Sequence, residues 1–148
     1  MVMAVKQFEK LFREAASLDI DKNDIKRLED FVNQRVHSLL VRGVGIAKAN
    51  GRDVIQVHDL PITKGLQEQI HAFKSLDEEL NLSVILDSLA KLPPLALDYS
   101  EEVEQKLPEL IGAVTISVAK LFKLVNPGLK NPATAEWEQV EQIFDLLQ

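Results

Sequence analysis

This sequence predicts an all-α chain made of two copies of one short–long–short helix unit. Two long apolar stripes with three- and four-residue spacing, each flanked by shorter amphipathic segments, are the first observation. Glycine, asparagine and proline stand at the breaks between segments. The composition is 46% hydrophobic but only 5% aromatic, so aliphatic side chains must build the core.

Val5, Phe8, Leu11, Phe12 and Ala15 alternate with Lys6, Glu9, Lys10, Arg13 and Glu14, which predicts a short amphipathic helix ending near Leu18. Asp21 is a suitable N-cap for a long helix whose stripe is Ile25, Leu28, Val32, Val36, Leu39, Gly43 and Ile46. Asn50-Gly51 closes it. Asp53 to Val57 is short and β-branched and predicts a strand-like link. Asp59 followed by Pro61 predicts the start of a third helix with Pro in its first turn, carrying Ile62, Leu66, Ile70 and Phe73.

The second half repeats this order. Leu82, Ile85, Leu86 and Leu89 predict a short helix, Leu92-Pro93-Pro94 a break, and Ser100 the cap of a long helix. Its stripe is Val103, Leu107, Leu110, Val114, Val118, Leu121 and Val125, with Asn126-Pro127-Gly128 as its stop and a kink or frayed first turn expected at Pro108. A last helix carries Trp137, Val140, Phe144 and Leu147. Neither unit can bury its long stripe alone, so residues 1–148 are expected to form one compact domain of two units, 1–75 and 76–148, tethered around residues 75–79.

The absence of cysteine excludes a disulfide framework, a Cys-ligated zinc and a thiolate nucleophile. No run approaches the ~18–20 apolar residues of a membrane span, and the N-terminus lacks a long apolar stretch, so a cytoplasmic protein is expected. The formal charge is −6, unevenly spread. Residues 1–75 hold twelve Lys/Arg against ten Asp/Glu, and residues 76–148 hold five against thirteen. Any basic footprint lies in the first half, while the acidic second half could meet a basic protein partner.

The run AKANGRDVIQVHDL, residues 47–60, resembles the end of the long helix in archaeal histones. There an Ala-Lys/Arg-x-x-Gly-Arg run precedes a β-branched loop and a helix-capping Asp. The resemblance implies that Arg52 and Asp59 pair as a structural clamp on the loop. It extends without a gap to Ile20-Asp21-Lys22 and to LFREAA at residues 11–16, covering roughly residues 5–74. In the second half Thr134-Ala-Glu136 is similar to the family's run before its third helix, but Trp137 replaces the Asp and no Arg stands at the clamp position. As a whole the chain resembles bacterial proteins with two histone folds fused in one polypeptide. That resemblance implies a single-chain histone-fold doublet, a pseudodimer closed by an intramolecular handshake, either monomeric or weakly self-associating. Gly43 and Gly45 are expected to let the two long helices approach; no strand precedes this GxG and its third Gly is missing, which argues against a dinucleotide-binding reading.

The family contacts duplex DNA through first helices, loops and helix N-termini. Carried over by position, the candidate DNA-contacting residues are Lys10, Arg13 and Arg52. Asp19 replaces a family Arg, and Asp53-Val54 replaces the loop's Lys-Thr, so electrostatic affinity is expected to be weakened. His37, His58 and His71 lack metal-ligand spacing, and the serines lie in no nucleophile motif. The expectation is therefore a histone-like architectural or interaction protein with weak or altered DNA contact, no catalytic residues, no metal and no cofactor. The alternatives are an acidic assembly module that binds no DNA and, further off, a small helical enzyme.

Overall fold

The structure, a computed structural model, describes residues 2–81 and 92–147. Among these it is mostly helical: α1 (Val2–Ala16), α2 (Lys22–Ala49), α3 (Lys64–Leu80), α4 (Glu101–Val125) and α5 (Thr134–Leu147). Two short strands, β1 (Val54–Ile55) and β2 (Asp98–Tyr99), pair in parallel. The short helix expected from Leu82 to Leu89 lies outside the described residues.

Helix ends follow local chemistry. Asp21 accepts the Asp24 backbone N–H at 2.9 Å while Asp24 accepts that of Asp21 at 3.0 Å, a reciprocal capping box. At the other end of α2, Gly51 takes φ +72°, and the N–H groups of Gly51 and Arg52 satisfy the carbonyls of Lys48 and Ala47. Ser100 caps α4 by accepting the Val103 N–H at 3.3 Å, and α4 runs unbroken through Pro108.

The start of α3 corrects the sequence expectation. Asp59 closes a 3₁₀ turn (Val57–Asp59), and Thr63 caps α3 by accepting the Leu66 N–H at 3.1 Å. Pro61 and Ile62 precede the helix. Residues 75–79 are helical rather than a tether, because α3 continues to Leu80 and ends on Asn81 at φ 52°.

Two loop pairings fix how the long helices run. The loop before α4 joins the loop after α2 through β1 and β2, in register Val54 to Asp98 and Ile55 to Tyr99, with the Ser100 N–H on the Ile55 carbonyl at 2.9 Å. The loop before α2 meets the loop after α4 where the Asp19 N–H donates to the Lys130 carbonyl at 2.8 Å. Since α2 and α4 also pack on each other, they run antiparallel.

One hydrophobic cluster draws on both halves, from Phe8 and Leu11 to Trp137 and Phe144. Its axis is α4, which packs against α1, α2, α3 and α5 and buries every residue from Leu110 to Ile116. A helix apolar on all sides belongs in a core. The one polar member of that run, Thr115, donates to the Ile111 carbonyl at 2.7 Å. Leu147, expected on the buried face of α5, is 70% exposed.

The close approach falls elsewhere than at Gly43 and Gly45. A Cβ on Gly112 would collide with the Phe73 ring, so this glycine lets α3 lie against the backbone of α4. Gly43 packs on Ile55 and Leu60 of its own following loop, and Gly45 faces open space.

Candidate functional site

Arg52 sits just past the C-terminus of α2, and its guanidinium forms an ion pair with the fully buried Asp59 carboxylate. The second Asp59 oxygen accepts the Gln56 N–H at 2.8 Å. The other Arg52 terminal nitrogen lies 2.6 Å from His58 Nε2, and a guanidinium can only donate there. Loop 53–58 is thereby pinned between the end of α2 and the 3₁₀ turn, while the Arg52 charge is spent largely on Asp59.

This loop belongs to the acidic end of the molecule. Asp98 lies opposite Val54 across the strand pair, and exposed Asp53, Glu101, Glu102 and Glu104 lie close to it in sequence. The carboxylates at the start of α4 favour its helix dipole and repel phosphate. Arg52 therefore stands apart from the other two candidate DNA-contacting residues.

Those two share the solvent face of α1. Lys10 and Arg13 are exposed, with Lys6 one turn before Lys10, on the side opposite Phe8, Leu11 and Phe12. Spacing alone would have added Lys6 to the candidates. Glu9 and Glu14 border this stripe, and Arg13 lies 3.5 Å from Asp19, which draws on the neighbouring cation.

Further arginines of the first half are taken up by carboxylates of the second. Arg27 donates to Glu141 at 2.8 and 3.2 Å and lies 5.9 Å from the centre of the Trp137 ring. The hydrogen bond to Glu141 pushes its guanidinium pKa further up. Arg35 pairs with Asp145, and Lys74 of α3 approaches Glu109 of α4 at 3.4 Å. Trp137 is buried against Phe122 and donates its Nε1–H to Asp24 at 2.9 Å. Trp137 thus links the two halves through a hydrogen bond to α2.

Among the described residues no group of three or more His, Asp or Glu side chains could hold a metal ion. His71 is exposed and His37 half-buried, far apart in the chain from His58. Ser38 and Ser117 donate to backbone carbonyls one turn back, at 2.9 and 2.8 Å. No described helix is long and apolar enough to cross a membrane.

Comparison with known proteins places this arrangement. A crystal structure of a protein from Thermus thermophilus, 49% identical, superposes over 100% of both chains with a TM-score of 0.88. One from Aquifex aeolicus, 26% identical, covers 98% of this chain and 95% of that one at a TM-score of 0.85. Two uncharacterised Aquifex aeolicus proteins are 33% and 29% identical, covering 85% and 95% of this chain and 81% and 83% of theirs. Residues 8–145 match the family described as Domain of unknown function (DUF1931). The chain belongs to that family.

Proposed function

We propose that this chain is a single-chain histone-fold doublet that works as an architectural or interaction module, making only weak, electrostatic contact with duplex DNA. The handshake reading draws support from the two loop pairings, each joining the loop before one long helix to the loop after the other. The observation that carries the functional reading is the internal use of arginine. Three of the five arginines, Arg27, Arg35 and Arg52, are held by Glu141, Asp145 and Asp59, leaving mainly lysines to meet phosphate.

Non-specific affinity scales with the number of phosphates neutralised. The α1 stripe of exposed Lys6, Lys10 and Arg13, the last shared with Asp19, lies away from the acidic end. Gel-shift titration of a duplex at about 50 mM salt tests this, since electrostatic binding is strongest there. Wild type should shift the duplex and Lys10→Glu should not; no shift by wild type would sink the DNA branch. In that event the exposed carboxylates at the start of α4 favour the assembly reading, in which the acidic end meets a basic protein.

A further inference from the structure

A cleft of about 320 Å³ opens at the seam between the two halves, walled by α2, the loop before α3, α4 and the end of α5. Its apolar wall is Leu39, Val114 and Phe144. Arg35 and Arg42 bring two positive charges and Asp145 one negative charge, leaving one net positive charge in a cleft that Ser38 and Thr63 also line. Asp145 is bound to Arg35, which also bonds Gln34 at 3.2 Å and stacks on Phe31 at 5.0 Å. Arg42 has no carboxylate or other polar partner among the described residues. Thr63, whose oxygen accepts from the backbone of α3, still has a hydroxyl hydrogen to donate.

We propose that this cleft binds a small amphipathic monocarboxylate, its head on Arg42 and Thr63 and its apolar body on Phe144, Leu39 and Val114. Its size falls at the lower end of the ~300–1,000 Å³ typical of ligand pockets, which favour seams between packed elements. An uncharged apolar molecule would gain nothing from the exposed Arg42 guanidinium, and a dianion would meet Asp145. Because the walls come from both halves, occupancy stabilises the assembled chain by linkage.

The test uses the full chain with phenylacetate and its uncharged counterpart phenylacetamide, followed by thermal melting and calorimetric titration. Phenylacetate at ten times its Kd should raise Tm by about 3–5 °C, and phenylacetamide should not. Arg42→Gln removes no hydrogen bond or ion pair among the described residues, so it should keep the Tm of the free protein while weakening phenylacetate binding at least tenfold. Lys48→Gln, which removes an exposed cation from the same helix outside the cleft, should bind like wild type. Equal stabilisation by acid and amide, undiminished binding by Arg42→Gln, or equal weakening by Lys48→Gln would overturn the proposal. So would a dimer in light scattering that Arg42→Glu dissociates, since the cleft would then be the seat of a second copy.

Discussion

Arg27 on α2 and Glu141 on α5 are 114 residues apart and share two hydrogen bonds, so the basic half and the acidic half neutralise each other where they meet. Each side chain is still partly exposed, at 34% and 22%. The geometry is bidentate, yet water weakens it. A double-mutant cycle of Arg27→Ala and Glu141→Ala in urea should give a coupling of about 1 kcal/mol at low salt, the upper end for accessible pairs. The coupling should shrink in about 1 M salt. A coupling indistinguishable from zero at low salt would remove this pair from the account.

The glycines give a test of opposite signs. Gly45→Ala, in a helix interior facing open space, should stabilise by about 0.5–1 kcal/mol. Gly112→Ala drives a methyl into the Phe73 ring and should destabilise by about 1–3 kcal/mol or more. Denaturant melts decide both, and the Gly112→Ala penalty should fall in a Phe73→Leu background because the two sites are in contact.

At the clamp, Asp59→Ala strands the Gln56 N–H and leaves Arg52 half-buried without its carboxylate. The cost should be about 2–4 kcal/mol, below that of a fully buried pair because Arg52 reaches water. Arg13→Ala, which loses an exposed pair, should change stability by no more than about 0.5 kcal/mol. Equal penalties in chemical denaturation would contradict the structural role assigned to Arg52 and Asp59.

Much of this fold was legible in the sequence where local chemistry decides it. The 3,4-spaced stripes of α2 and α4, the caps at Asp21 and Ser100, and the stops at Gly51 and Asn126 all follow from interactions within a few residues. The start of α3 was misplaced because Asp59 and Thr63 are both good caps. Asp59 is withdrawn from that role by Arg52, a contact that the resemblance pointed to and whose effect on the helix start propensity does not register. Residues 75–79 read as polar linker, yet Lys74 reaching Glu109 and Leu76 packing on the core keep the helix going. Gly112 escaped notice since its reason for being glycine lies on another helix. The candidate site was legible residue by residue but not as a surface. Pairs such as Arg27 with Glu141 leave no local signal, and neither does the placement of Arg52 at the acidic end.

If α1–α3 and α4–α5 share one core, neither group should fold by itself. Fragments 1–93 and 94–148 should each show weak, non-cooperative helicity by circular dichroism, and an equimolar mixture should regain a cooperative melt. α4 buries its faces on α1, α2 and α3, so its removal leaves those stripes exposed to water. A fragment 1–93 that melts cooperatively as a monomer would contradict the doublet.

The most direct test of the central claim is the salt dependence of duplex-DNA affinity, followed by fluorescence anisotropy from about 50 to 200 mM salt. With Arg27, Arg35 and Arg52 held internally and only the few cations of the α1 stripe left to act, the slope of log K against log salt should be about −2 to −3. Lys10→Glu should abolish measurable binding across the range. A slope of about −6 or steeper, with binding surviving at 200 mM, would mean that many phosphates are neutralised at once. That result would contradict an internally neutralised doublet.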